Sequence, residues 1–306
     1  MALSISARIE RWPVDGAFVI ARGAKTHVDL VYVEMTDGAH IGRGEGTPIY
    51  YKGETAASCL AQMQALPADV DRATLQSLLP PGAARNAVDC ALWDLEAARA
   101  DLPVWAMAGL AAAPAPSTAM TVSLGDPEAM EAQARSFAGR FELLKLKLAG
   151  DGDRDRVAAV RRGAPDARLI VDANEAWTGR DVAAEATRLL PFGVELIEQP
   201  VRAGDEHLLD GVASPIPLCA DESCQTRDDL DRCTGHYQAI NIKLDKAGGL
   251  TEALALKAEA ERRGFAIMVG CMLGTSLAMR TAQIVAHGAR WVDLDGALLL
   301  ARDRKD

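Results

Sequence analysis

The order of apolar and polar residues divides the chain into two rhythms. From Ile5 to Pro48 it reads as strands and turns: "HVDLVYVEM" alternates with a period of two, and "TDGAHIGRGEG" reads as a Gly-rich turn. A helical period follows in "AARNAVDCALWDLEAARA", where Val88, Ala91, Leu92, Leu95 and Ala98 fall on one face. The stretch "AAAPAPST", residues 111–118, then interrupts with prolines and small residues. It marks a boundary between an α+β domain, residues 1–112, and a second domain, residues 113–306.

Beyond that boundary short apolar runs alternate with helix-compatible stretches. "TAMTVSL" precedes a helix that Asp126 caps with Pro127 at its first position; "LLKLKL" precedes the segment from Asp153, and "ARLIVDAN" precedes "GRDVAAEATRLL". "GVELIEQP", "IPLCADES", "AINIKLD" and "FAIMVGCM" continue the series, and "WVDLDG" closes it. Repeated strand–helix units demand parallel strands with right-handed crossovers. About eight of them predict an α/β fold of the (β/α)8 barrel type, with an open doubly wound sheet as the alternative.

Composition narrows the chemistry. A formal net charge of −10 and the lack of a basic tract interleaved with aromatics argue against nucleic acid as a partner. The opening residues have no apolar h-region behind a basic one, and no later run is long enough to span a bilayer, so a cytoplasmic protein is expected. Six cysteines without CxxC or zinc-ligand spacing suit reduced thiols. The five histidines show no ligand spacing either, and "GRGEG" lacks the strand-to-helix context of a phosphate loop.

In a barrel of parallel strands the chemistry belongs at their carboxyl ends, and there this sequence keeps its charges. Lys147 ends the second barrel strand, Asp172 the third, Glu198 the fourth, Asp221 the fifth and Lys243 the sixth, while Asp293 and Asp295 follow the last. Three acids on adjacent strands repel unless they share a cation; taken singly, each would equally suit a salt bridge or a helix cap. An all-oxygen set favours Mg2+, with Mn2+ as the alternative, over zinc. Lys145 and Lys147, two apart on one strand, point the same way. Lys145 would help Lys147 give up a proton by like-charge repulsion and would stabilise charge developing on a substrate carboxylate. Lys243 approaches from the far side, so one amine could remove a proton from carbon while the other returns one to the opposite face.

The motifs "KLK" (145–147), "VDANEAW" (171–177), "IEQP" (197–200), "ADES" (220–223), "NIKLDKAGGLTEA" (241–253) and "DLD" (293–295) together resemble the enolase superfamily, and within it the dipeptide epimerases, especially those acting on L-Ala-D/L-Glu. The resemblance covers nearly the whole chain. It implies an N-terminal α+β cap over a modified (β/α)7β barrel, with Asp172, Glu198 and Asp221 binding Mg2+ and Lys147 and Lys243 as the acid/base pair of a 1,1-proton transfer. It places Lys145 against the substrate carboxylate, Asn174 and Glu222 behind the metal ligands, and Asp293 and Asp295 at the ammonium of a dipeptide. Arg22 would meet a glutamate side-chain carboxylate, and Thr121 would lie near the substrate. The chain ends soon after "DLDG", where the family usually continues into a tail that rejoins the cap.

The reading competes with another lysine-base reaction of the same superfamily, o-succinylbenzoate synthesis or muconate cycloisomerisation, and with a non-catalytic metal-binding scaffold. The sequence implies a small dipeptide as partner, neither nucleic acid nor membrane, consistent with cell-wall peptide recycling; it leaves homo-oligomerisation open.

Overall fold

The computed structural model describes residues 3–20, 23–115 and 118–305. Its N-terminal part is an antiparallel sheet of β1 (Ser4–Ile20), β2 (Gly23–Thr36) and β3 (Ile41–Gly46), followed by α1 (Ala56–Gln64), α2 (Arg72–Leu78), α3 (Ala83–Ala100) and α4 (Val104–Met107). Alternation in β2 builds two interfaces. Val31, Val33 and Met35 pack on the helices, whereas Val28 and Leu30, on the other face, pack with Leu273 and Leu300 of the second part.

The expectation of a Gly-rich turn at residues 36–46 is corrected here. The turn is short, and "IGRGEG" is strand β3. A Cβ on Gly42, Gly44 or Gly46 would stand 2.1, 2.0 or 2.3 Å from the carbonyl oxygen of Ala91, Ala87 or Ala83 respectively. These glycines let α3 lie against the sheet backbone, so they serve helix–sheet packing rather than chain reversal. On α3 the expected face is buried at Val88, Ala91, Leu92 and Leu95, but Ala98 is exposed because the helix has by then run past the sheet.

The second part is an eight-stranded parallel sheet: β4 (Met120–Val122), β5 (Leu143–Lys147), β6 (Arg168–Asp172), β7 (Val194–Glu198), β8 (Leu218–Ala220), β9 (Ala239–Ile242), β10 (Ala266–Gly270) and β11 (Trp291–Asp293), in that spatial order. Ala119 N donates to Val292 O, which joins the first strand to the last and closes the barrel. Helices α5 (Pro127–Phe137), α6 (Asp153–Gly163), α7 (Val182–Leu189), α8 (Leu230–Cys233), α9 (Leu244–Ala247), α10 (Leu250–Arg262) and α11 (Ser276–Ala286) form the crossovers. Asp126 caps α5 through Ala129 N at 2.7 Å, with Pro127 at the first position, as the sequence predicts. The β7–β8 crossover carries only a 3-10 turn at Glu206–Leu209. Among the described residues no helix is long and apolar enough to cross a membrane.

Polar bonds fasten the cap over the barrel's carboxyl end. Thr47 N and Asn86 Nδ2 both donate to Asp245 Oδ1 at 2.8 Å, and Arg85 donates to the carbonyls of Ala247 and Gly248. Near the chain's end, Ala301 N donates to Pro13 O and Asp15 N to Leu299 O, so this segment pairs with β1.

Candidate active site

Side chains two apart on a strand share a face, and this rule fills the barrel in layers. Ala119, Leu143, Ile170, Leu196, Cys219, Ala239, Met268 and Trp291 form an apolar ring. Two residues further along, the same inward face carries Thr121, Lys145, Asp172, Glu198, Asp221, Asn241, Gly270 and Asp293. One step beyond stand Lys147, Lys243 and Asp295. Register interleaves these levels between neighbouring strands, since Thr121 pairs with Lys145, Lys147 with Asp172, and Asp172 with Glu198.

Ion pairs organise the layer. Lys147 Nζ lies 2.6 Å from Asp172 Oδ2, and Lys243 Nζ 2.6 Å from Asp221 Oδ2. Lys145 Nζ sits deeper, 2.6 Å from Glu198 Oε2, 2.8 Å from Asp293 Oδ2 and 3.3 Å from Asp172 Oδ2. Burial alone would lower the Lys145 ammonium, but Asp293 and Glu198 outweigh it and hold it well above the ordinary lysine range. The Lys145 charge is thus compensated by acids on three strands. Lys243 is likewise raised, with burial opposing and Asp221 prevailing.

The acids diverge in response. Burial opposes ionisation of Asp172, yet Lys147 and Lys145 bring it down to about 2, and the neighbouring lysines likewise hold Asp221 well below its ordinary value. Glu198 rises to about 8, from burial and from Asp172 beside it. Its Oε1 accepts from Asn241 Nδ2 at 2.7 Å. Gly270 makes room for that amide, because a Cβ there would stand 2.8 Å from Asn241 Oδ1.

Among the described residues no three acids are already drawn together as a metal-ligand cluster; ammonium groups stand between them. The donor set nevertheless fits a divalent cation. Glu198 Oε2 is a buried acceptor without an aligned hydrogen bond, touched by the Lys145 ammonium at 2.6 Å. All the donors are oxygens, the preference of Mg2+.

Above the layer, between barrel and cap, lies a cavity. Thr121, Lys145, Lys147, Asn174, Asp221, Glu222, Lys243, Asp293 and Asp295 line it from the barrel, and Phe18, Ile20, Lys25, Tyr50 and Tyr51 from the cap. Asp172 and Glu198 do not reach it, being covered by Lys147 and Lys145. In the eight-strand order, β5 and β9 are separated by three strands whichever way round the closed barrel one counts, so Lys147 and Lys243 enter the cavity from opposite walls.

The two parts of the chain match two family descriptions: the mandelate racemase / muconate lactonizing enzyme N-terminal domain over residues 3–109, and the Enolase C-terminal domain-like family over residues 129–296. The chain belongs to the enolase superfamily. It is 44% identical over 299 residues to an L-Ala-D/L-Glu epimerase of Escherichia coli (strain K12), covering 96% of this chain and 93% of that protein. Among solved structures it resembles an enolase family member from Agrobacterium tumefaciens with homology to dipeptide epimerases, which holds sodium and L-Ala-L-Glu with an ordered loop. That match has a TM-score of 0.95 at 47% identity and covers 99% of this chain and 94% of that one. A dipeptide epimerase from Enterococcus faecalis V583, complexed with Mg and L-Leu-L-Tyr, matches with a TM-score of 0.89 at 30% identity, covering 99% and 93%.

The other site residues of this superfamily member fall as follows. Asn174 N donates to Asp172 Oδ1 at 2.9 Å, and Thr121 N to Asp295 Oδ2 at 2.8 Å. Burial, with Asp293 adding to it, pushes Asp295 up to about 7. Asp293 already holds Lys145, so it enters the cavity as half of an ion pair. Arg22 lies outside the described residues. Lys25, which sequence reasoning passed over, brings a cap cation to the cavity. Its Nζ stands 4.2 Å from the Tyr50 ring centroid, and burial lowers its pKa. Asn241 and Gln199 were also missed; a lone polar residue inside "AINI" was the available signal for the first.

Proposed function

We propose that this chain is a Mg2+-dependent dipeptide epimerase, acting on L-Ala-D/L-Glu or a close relative of it. The observation that carries the reading is the placement of Lys147 and Lys243 on opposite walls of one cavity. Lys147, with its partner Asp172, takes the α-proton from one face of the substrate; Lys243, with its partner Asp221, delivers a proton to the other face, and the roles reverse for the opposite antipode. Asp172, Glu198 and Asp221 would hold Mg2+, which when bound would supply positive charge to offset the negative charge developing on the substrate carboxylate. Lys145 provides fixed positive charge beside that site. Asp293 and Asp295, next to Thr121, suit the ammonium of an N-terminal residue. Lys25, at the cap wall, suits an acidic side chain on the C-terminal residue, with Arg22 as a further cation of the same segment.

The relatives' named substrates support this reading, and residues 1–112 serve in it as the cap with 113–306 as the barrel. Six free cysteines, five of them buried, are in keeping with a cytoplasmic setting, and the L-Ala-Glu unit with turnover of cell-wall peptides. The deciding experiment is incubation of L-Ala-L-Glu and L-Ala-D-Glu with the protein and Mg2+ in D2O. Inversion accompanied by α-deuterium incorporation is expected. Absence of both, with o-succinylbenzoate formed from its precursor, would transfer the site to the other lysine-base chemistry.

A further inference from the structure

Lys246 is buried to the same degree as Lys145, yet it does not line the cavity. It belongs to α9, directly after β9, and its ammonium meets only oxygen. Nζ donates to the main-chain carbonyls of Asp221, of Cys224 at 2.7 Å and of Asn241 at 2.9 Å, and lies 2.7 Å from Asp221 Oδ1. The far end of α9 is fixed as well. Arg85 of the cap donates to the carbonyls of Ala247 and Gly248, and a Cβ at Gly248 would stand 2.4 Å from that guanidinium.

Asp221 thus meets a partner at every polar group, Oδ1 through an ion pair alone. Its N–H donates to Gln199 Oε1 at 2.8 Å, its main-chain carbonyl and Oδ1 face Lys246, and Oδ2 alone meets the cavity-lining Lys243, at 2.6 Å. The two lysines divide the carboxylate, one from behind and one from the site. We infer that Lys246 is a positioning residue for Asp221: by gripping Oδ1 and the main-chain carbonyl from the barrel wall, it fixes the carboxylate with Oδ2 toward the cavity and Lys243, in the orientation in which Asp221 would hold a divalent cation. The inference rests on the proposed role of Asp221 as a cation ligand.

A second role predicts the opposite sign. A lysine acting only as counter-charge would repel a nearby dication, so its removal would tighten cation binding. Loss of a positioning partner behind a metal ligand instead weakens affinity, typically about 10- to 100-fold. The test compares metal-stripped wild type, Lys246→Gln and Lys246→Met by calorimetric titration with Mg2+, after circular dichroism establishes the fold of each. Deuterium exchange from each dipeptide antipode is then followed at saturating Mg2+. Folded variants whose Mg2+ dissociation constant rises about 10-fold or more, and which lose exchange chiefly on the face served by Lys243, are expected. Unchanged or tighter Mg2+ binding overturns the inference, as does equal loss on both faces with unchanged affinity. Failure of both variants to fold reduces Lys246 to a structural lock and overturns it too. A wild type that neither binds Mg2+ nor exchanges deuterium overturns the functional reading and this inference with it; a responsive wild type beside unaltered variants overturns the inference alone.

Discussion

Two rings of side chains, two residues apart on the same eight strands, differ in almost every property. The lower ring, from Ala119 round to Trp291, is apolar and buried, and it packs as an ordinary core. The upper ring is buried just as deeply, yet holds Lys145, Asp172, Glu198, Asp221, Asn241 and Asp293. Burying charge costs free energy unless it is paired, and here each charge meets an opposite one across a strand. The same strands and the same period therefore build a stabilising layer and a reactive one, and only residue type separates them.

The largest effects should come from the charged side of that comparison. Lys147→Ala and Lys243→Ala should each lower epimerisation by at least about 1000-fold, in the range of a lost acid/base group, while each retains deuterium exchange on the face served by the surviving amine. Mass spectrometry of the two antipodes in D2O reads this directly, and full turnover in either variant would remove that lysine from the chemistry. Chelation of divalent cations should instead abolish exchange on both faces, with recovery on adding Mg2+. Exchange that persists in chelator would separate the lysines from any metal.

The apolar ring predicts a different profile. Leu196→Ala removes a fully buried side chain two residues before Glu198 on the same face. It should cost about 2–5 kcal/mol in denaturant unfolding, by lost burial plus a residual cavity. At temperatures where the variant remains folded, turnover should fall far less than in the lysine variants. A loss of activity equal to theirs would mean that the two rings are not separable.

How far this division can be read from the sequence depends on the range of the interaction. The period-two pattern and the placement of charges at strand ends are local, so Lys147, Asp172 and Glu198 are legible together from the order of residues alone. Partner choice is not local. That Lys145 is neutralised by Asp293, 148 residues away, follows from barrel closure and not from "KLK". Lys25 is invisible in the sequence for a related reason, since its position depends on how the cap docks. The glycines of β3 look like turn residues in isolation, and only the approach of α3 explains them. Lys246 reads as one more residue of a helix-compatible stretch, because nothing in its neighbours announces three carbonyls converging on one ammonium.

The smallest predicted effect asks whether every buried charge at this rim serves the reaction. Asp245, two residues past Lys243, turns toward the cap and accepts from Thr47 N and Asn86 Nδ2; burial pushes its carboxyl from 3.8 up to about 7. The sign follows from linkage. A folded state that holds this proton more tightly than the unfolded chain is stabilised by low pH, loses stability as pH climbs from about 4 to about 7, and levels off above. The ceiling on this loss is about 4 kcal/mol. Asp245→Asn keeps the acceptor oxygen for both donors and removes the charge. It should flatten the pH dependence and, after allowing for imperfect replacement of the second oxygen, stabilise the protein at pH 8 by about 1–2 kcal/mol. Unfolding curves at pH 5 and pH 8 for both proteins provide the measurement. Unaltered epimerisation in the variant would confine the reactive layer to groups that face the cavity, whereas a large loss of kcat would extend it into the cap interface.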